Sequence, residues 1–556
     1  MTRARERLAV IDLGSNSFRL VVFMAWNGWW RRTDEIYEPV RIGEGLAATG
    51  RLGEEPMRRA LATLDVFDHF CRAAGLRGRS VDALATSAIR DAENAAGFLA
   101  LARERTSLPI RVLSREEEAR YGYLAAVNST TLTEGCVLDL GGGSLQLVRV
   151  ADRMARELGS WRLGAVRMTE RFLPANGPAK RRQIEQLREH VAGELQRADW
   201  LARAGPRLVG IGGTVRNLAV AVQRTSGLPS NGVQAMIVSS EALEELVERL
   251  AALPASQRSS VPGIKPARAD LILAGAIVVQ GALLAGGFDG LEATEAGLRE
   301  GVFFERLLAD RPSGHEHKAR RTGSRSAGER TARRAGSAEP PIPDDRPPLF
   351  ADLRRTSVLN LAAQYQPDAA HTDHVATLAL AMFDELARLG LHEGDLLERE
   401  LLWAACMLHD IGMSVDYDDH HKHSRYLILN GGLPGYSPTE VAIVAQAARY
   451  HRKGMPDPGP LAALFGPDDV ARLDRCAVLL RLAEDLERSR DQLVRATRFT
   501  LTGGSSGKPP AGSGAGAGEI ELRLIADGES AVPRWAARRE SELFARAFHR
   551  ELSVAA

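Results

Sequence analysis

The chain has 556 residues, several times a typical domain of about 150 residues, so more than one folded unit is required. Apolar residues at 44% and charged residues at 26% exclude wholesale disorder, a collagen-like repeat and a disulfide scaffold. With 72 basic against 71 acidic residues the net charge is +1, which excludes a chain-wide polycation built for nucleic acid and leaves local patches open. The basic residues comprise 66 arginines and six lysines, a bias that GC-rich coding explains but that also supplies the planar fork suited to phosphate.

From the N-terminus, the apolar stretch Leu8 to Ile11 is too short for a signal-peptide core, and the most apolar run, Leu271 to Gly287, reads as a buried helix. Cys71, Cys136, Cys406 and Cys476 form no CxxC pair, which fits a reducing, cytoplasmic setting. An internal repeat is visible: Val10 to Ser17 (VIDLGSNS) matches Val137 to Ser144 (VLDLGGGS) at five of eight positions, 127 residues apart. Both copies follow a strand-like run and lead into another, so two similar half-domains are expected. A third glycine loop, Gly210 to Thr214, runs from Leu208-Val209 into a helical pattern.

Residues 311–338 carry eight basic and two acidic side chains among Gly, Ser and Thr, and Pro-Pro pairs follow; this reads as a linker. Beyond it the pattern is helical almost throughout, with helices expected over Val375 to Leu389, Leu396 to Leu408, Pro438 to Ala447 and Arg472 to Ser489. Two strands, Arg498 to Thr502 and Glu519 to Ile525, flank a Gly/Ser/Ala/Pro run, and a closing helix is expected from Pro533 to Leu552.

The glycine loops point to an oxyanion. Glycines let several N–H donors aim at one anion, and an Asp at a strand end beside such a loop can hold Mg²⁺ or its waters. The expected phosphate-binding residues are Gly14, Ser15, Asn16 and Ser17, Gly141, Gly142, Gly143 and Ser144, and Gly212, Gly213 and Thr214, with Asp12 and Asp139 as metal ligands. Ser114 and Glu117 form a capping box that starts a helix, which puts Glu118 on one stripe with Tyr121, Gly122 and Ala125. A carboxylate on that packed face, beside a phosphate site, is a candidate general base.

These motifs carry a resemblance. The first 305 residues resemble the exopolyphosphatase/guanosine pentaphosphate phosphohydrolase (Ppx/GppA) family of the actin-like and sugar-kinase superfamily. The matching segments are Asp12 to Ser17, Val40 to Leu46, Ala85 to Asn94, Ser114 to Arg120, Asp139 to Ser144, Gly164 to Glu170, Gly212 to Thr214 and Gly297 to Gly301. The resemblance implies an α/β fold of two actin-like (ribonuclease H-like) halves, residues 1–126 and 127–308, and a reaction in which water attacks the terminal phosphate of linear polyphosphate or of guanosine pentaphosphate (pppGpp). It makes Glu118 the catalytic residue, Arg90 a phosphate contact and Mg²⁺ the cofactor, and it implies a homodimer with no membrane or specific nucleic-acid partner. The family commonly has Ser-x-Glu after the second loop, where this chain has Ser144-Leu145-Gln146, a change that favours a polyphosphate- or alarmone-binding regulator without turnover as a third reading. A kinase of the same superfamily is disfavoured, since a buried glutamate beside phosphate loops suits the activation of water.

Most of the 13 histidines lie between His371 and His451. His374, His409-Asp410 and Asp485, each on a helical apolar face, resemble the H…HD…D signature of HD-type metal phosphohydrolases, which implies a metal site for Mn²⁺, Fe²⁺, Co²⁺ or Zn²⁺ and a second hydrolytic centre. His420, His421 or His423, with His451, are candidates for a second metal position. The expected organisation is therefore two half-domains, a linker over 309–349, an all-α HD-type domain over 350–495 and a small α+β segment over 496–556.

Overall fold

The computed structural model describes residues 5–174, 177–229, 232–309, 347–365, 368–502 and 518–555. Nearly all of the expected linker and residues 503–517 of the Gly/Ser-rich insert lie outside the described residues.

The sequence repeat is also a structural one. In the first lobe, β1 (Glu6–Leu13), β2 (Phe18–Trp26) and β3 (Trp29–Glu38) form an antiparallel meander, and β4 (Val81–Ala85) and β5 (Ile110–Val112) extend it in parallel beyond β1. In the second lobe, β6 (Gly135–Leu140), β7 (Leu145–Ala151) and β8 (Met154–Trp161) form the same meander. There β9 (Leu208–Ile211) continues in parallel from β6, followed in the sheet by β11 (Gly290–Ala293) and by β10 (Met236–Ser239), which is antiparallel to β11.

Side-chain parity along the strands decides what faces the cleft. Successive strand residues point to opposite faces. On β1, Ala9, Ile11 and Leu13 enter the outer core of lobe one, whereas Leu8 and Val10 enter a cluster between the lobes. On β6, Cys136, Leu138 and Leu140 enter the outer core of lobe two, and Val137 joins the inter-lobe cluster. Asp12 and Asp139 share the parity of Val10 and Val137, so both carboxylates fall on the inter-lobe side at the carboxyl ends of equivalent strands. The inter-lobe cluster is filled by helices Arg115–Val127 and Leu298–Ala309, through Ala119, Leu124, Val302 and Phe303 among others. Full burial of a side chain such as Leu124, Val302 or Phe303 contributes about 1.5–3 kcal/mol.

The run Leu271 to Gly287 is buried helix Ile272–Gly286 in the core of lobe two, and among the described residues no helix is long and apolar enough to cross a membrane. All four cysteines are free and buried.

The third region packs helices Leu353–Tyr365, Ala369–Arg388, Leu396–Leu408, His420–Gly431, Pro438–Arg449 and Asp469–Leu486 around one core. Its C-terminal segment differs from the expected strand pair and single helix. Strands β12 (Val494–Thr502) and β13 (Glu519–Ala526) are antiparallel, and a third strand, β14 (Leu552–Val554), adds in parallel to β13. The closing helix is two short ones, Ala531–Arg538 and Ser541–Phe548, and Phe544, Phe548, Ile520 and Leu522 join the helical core. The region is anchored to lobe one where Phe350 stacks on Trp30 at 5.1 Å and Asn360 Oδ1 accepts from the Trp30 amide at 2.7 Å.

Candidate active site and a second polar cluster

The first two glycine loops leave β1 and β6, and the third opens helix Gly213–Thr225 after β9. Together they wall a cavity of about 110 Å³ between the lobes, lined by Gly14 to Ser17, Gly141, Gly142, Gly212 and Gly213, with Asp12, Glu118 and Asp139 among its side chains. Loop amides and a helix N-terminus converging on a space of this size suit a phosphate group. Gly212, at φ 95°, occupies the left-handed region and lets the chain turn from β9 into the helix against Asp139 and the Leu140 carbonyl.

Glu118 sits where the helical reading places it. The capping box of Ser114 and Glu117 is formed, and Glu118, Tyr121, Gly122 and Ala125 are buried on the helix they begin. Gly122 brings this helix close to the second loop's strand, since a Cβ there would meet Ile211 at 3.1 Å and Asp139 Oδ2 at 3.3 Å. Burial pushes the Glu118 carboxyl above its usual range; Arg90, whose Nη1 donates to Oε2 at 2.6 Å, opposes this, and the charges of Asp12 and Asp91 add to it. Burial likewise raises Asp12, against the pull of Arg299 at 3.5 Å. Asp139 is pushed up to about 7 by burial, then by the charges of Glu118 and Asp12. Three crowded carboxylates of hard oxygen donors, raised by burial and by one another, fit a divalent cation such as Mg²⁺.

This electrostatics has a consequence for stability. The Asp139 carboxyl, ordinarily near 3.8, titrates near 7 in the fold, so the native state holds a proton that the unfolded chain releases across that window. Stability carried by that proton is present at low pH and is lost as pH rises through about 4 to 7. In metal-free buffer Asp139→Asn is therefore expected to melt above the parent at pH 8, with the gap closing toward pH 4. Melting curves with equal gaps at both pH values would contradict the assignment.

Four arginines that the sequence reading left unassigned also line the cavity: Arg19, Arg216, Arg268 and Arg299. Burial and then the charge of Arg299 lower Arg19, and the same causes in the same order bring Arg216 down to about 10. Burial also lowers Arg268, whose guanidinium lies over Gly213, a position where a Cβ would collide with it. Buried guanidiniums that repel one another require an anion, and Arg299 Nε and Asn16 Nδ2 are buried with no hydrogen-bond partner. A signal existed for Arg299, inside the Gly297 to Gly301 motif, and for Arg216 in the first turn after the third loop. Arg268 lies outside every motif.

Some of the expected phosphate-binding residues do not line this cavity. Arg90 is directed at Glu118 and at the Leu113 carbonyl and does not line the cavity. Gly143 packs against Ser87 and Ser15 where the lobes touch, and the Thr214 methyl lies against Gly275. Ser144 Oγ faces Glu118 Oε1 at 3.5 Å and accepts from Gln146 Nε2 at 2.8 Å. Gln146, in place of the acid common in the resembling family, thus supports the serine beside Glu118 and adds no fourth charge to the carboxylate cluster.

Next to the cavity, beyond the contact of Ser15 with Gly142, lies an open groove of about 1140 Å³. Arg115, Arg162, Arg167, Arg171 and Arg197 face it, against Glu170 and Glu194. Three of these, Arg115, Arg162 and Arg167, share the single carboxylate of Asp91 at 3.3 to 3.8 Å, an excess of positive charge at the groove.

In the third region the expected set His374, His409, Asp410 and Asp485 is only half assembled. His409 and Asp410 are buried together. His374 instead donates through Nε2 to the Val494 carbonyl at 2.9 Å, and Asp485 pairs with Arg488 at 3.0 Å. Their places are taken by His371 and Glu484, which meet at 2.9 Å. The helix expected from Val375 begins at Ala369, so His371 is already helical and one turn closer to His409. A one-residue step turns a helical side chain by about 100°, which carries Asp485 away from the cluster that Glu484 faces. His420 and His451 join the cluster; His421 is buried with neither ring nitrogen hydrogen-bonded.

A duplicated α/β fold whose cleft holds a phosphate-sized, arginine-lined cavity walled by glycine loops and buried carboxylates is the architecture of the actin-like class. The chain belongs to the Ppx/GppA phosphatase family: that family matches residues 33–310, and domain III of Ppx/GppA phosphatases matches residues 353–508. Among solved structures, the Ppx/GppA family member of Aquifex aeolicus is 29% identical, with all of its chain aligned to 56% of this one at a TM-score of 0.48. An exopolyphosphatase from Cytophaga hutchinsonii is 21% identical, with 98% of its chain aligned to 54% of this one at a TM-score of 0.51.

Proposed function

We propose that the inter-lobe cleft is an exopolyphosphatase site that releases the terminal phosphate of linear inorganic polyphosphate as orthophosphate. The observation that carries this reading is the pairing of a cavity of about 110 Å³, too small for a nucleoside, with a basic groove ten times larger beside it. A small cavity takes the end of a chain, and a row of arginines takes the charge that follows.

The loop amides with Arg19, Arg216, Arg268 and Arg299 hold the terminal phosphate. Glu118 accepts a proton from the water that attacks phosphorus, the bridging P–O bond breaks, and its electron pair stays on the shortened chain. Arg90 holds one carboxylate oxygen of Glu118 and so aims the other. Asp12 and Asp139 would hold Mg²⁺, which when bound offsets the negative charge of the phosphates.

The test compares kcat/KM on long polyphosphate, tripolyphosphate and pppGpp with one preparation, for the parent and for the triple variant Arg162→Ala/Arg171→Ala/Arg197→Ala. The expected result is preference for long polyphosphate, with KM in the triple variant raised on the long chain and unchanged on tripolyphosphate. A higher kcat/KM on pppGpp would assign the cleft to the alarmone instead, and tight binding of both without phosphate release would make the chain a sensor.

A further inference from the structure

An arginine outside the cavity stands in a conformation that its backbone alone does not justify. Arg41, in lobe one, holds φ 53°, a left-handed backbone that glycine adopts freely and a long side chain adopts only under constraint. The turn it starts carries the first glycine loop. The Arg41 amide donates to the Asn16 carbonyl at 2.9 Å, the Gly43 amide donates to the Ser15 carbonyl at 2.9 Å, and Asn16 and Ser15 both line the cavity. A glycine at position 41 would make the same backbone bonds without strain. What the arginine adds is therefore its side chain.

That side chain crosses to lobe two, where Arg41 Nη1 donates to Asp270 Oδ2 at 2.8 Å. Asp270 follows Arg268, whose side chain lines the cavity, by two positions, and directly precedes Leu271, the N-cap of the buried helix Ile272–Gly286. Neither Arg41 nor Asp270 lines the cavity itself. From the lobe-two side, buried Arg258 fixes the main chain of Asp270: its Nη1 donates to the Asp270 carbonyl at 3.4 Å and its Nε to the Leu250 carbonyl at 3.0 Å. The other carboxylate oxygen, Asp270 Oδ1, is buried with no hydrogen-bond partner. The acid thus sits on a fixed backbone, and Oδ2 is the oxygen it offers across the cleft. At the far end of the same turn the Gly45 amide donates to Glu170 Oε1 of lobe two at 2.9 Å.

We propose that Arg41 and Asp270 are positioning residues: their pair clasps the first glycine loop of lobe one to the segment of lobe two that carries Arg268, and so sets the two halves of the anion site at their working distance. The inference rests on the cleft being a phosphate-releasing site, as proposed above. A half-exposed ion pair adds little to global stability. Its effect falls on geometry, because a small displacement of a group that holds the reacting phosphate costs rate out of proportion to stability.

The test is a double-mutant cycle in the full-length protein, Arg41→Gln, Asp270→Asn and the two together, read by steady-state phosphate release from long polyphosphate. Each single variant is expected to lower kcat about tenfold. KM should change less than about twofold, since the groove arginines hold the long chain. The pair should be no slower than either single variant, because both remove one clasp. Arg41→Lys returns a donor to Asp270 and should recover most of the parental kcat. Arg41→Gly separates clasp from strain: it should melt no lower than Arg41→Gln and yet turn over as slowly. Hydrogen exchange supplies a readout that needs no turnover. Arg41→Gln, a change in lobe one, should speed exchange of the Arg268, Ala269 and Leu271 amides in lobe two, which bond to the Lys265, Pro266 and Arg268 carbonyls. Parental kcat in both single variants, parental exchange at those amides, or effects that multiply in the pair would each overturn the clasp. A parent that releases no phosphate from polyphosphate overturns the exopolyphosphatase reading instead, and exchange alone then decides the clasp.

Discussion

Glu118→Gln is expected to lower kcat on polyphosphate by about 10²–10⁴-fold while leaving KM nearly unchanged. The substitution preserves shape and still lets Arg90 donate to a side-chain oxygen, but an amide cannot take a proton from water. The loops and the four cavity arginines, to which the proposed mechanism assigns phosphate binding, are untouched. Burial lifts the parental carboxyl, so the acid limb of the parent's pH–rate profile should lie above the ordinary carboxylate range, and the variant's residual rate should lack that limb. Steady-state phosphate release across pH measures both. A variant that hydrolyses polyphosphate at the parental rate would remove Glu118 from the chemistry.

The site was legible in the sequence to the extent that short-range geometry determines it. Asp12 and Asp139 could be found because a five-in-eight repeat marks both strands and a period of two fixes their face. Glu118 could be found because a capping box fixes the helix start, and a known start fixes the phase of every later residue. His374 was expected because it opens a helical pattern in line with Leu378, Ala381 and Met382; the helix in fact begins at Ala369, and His371, almost one turn earlier on nearly the same side, is the histidine that meets Glu484. Arg268 was invisible for a different reason. Its position over Gly213 comes from a loop between distant elements of lobe two, and nothing local in Lys265-Pro266-Ala267-Arg268 records that approach. Arg90 shows the same limit: motif membership places a residue near a site, but only packing decides that its guanidinium lies on Glu118.

The largest structural effect is expected from Gly301→Ala. Gly301 lies in helix Leu298–Ala309, and a Cβ there would fall on the Tyr121 carbonyl oxygen, 2.8 Å from the Tyr121 carbonyl carbon and 3.1 Å from its Cα. All three atoms are backbone of helix Arg115–Val127, so no side chain can swing aside. An alanine in a helix interior ordinarily gains about 1 kcal/mol over glycine. Here the helices must separate, and overpacking of a rigid contact costs about 1–3 kcal/mol or more, which reverses the sign. The separation also reaches the chemistry, because one helix carries Glu118 near its start and the other carries Arg299. Gly301→Ala should therefore lower both the melting temperature and kcat. Gly97→Ala is the control: that residue is helical, and an added Cβ meets nothing within 4 Å, so the same substitution should be neutral or stabilising. If Gly301→Ala melted and turned over like Gly97→Ala, the close helix crossing could not be what sets the distance between base and phosphate.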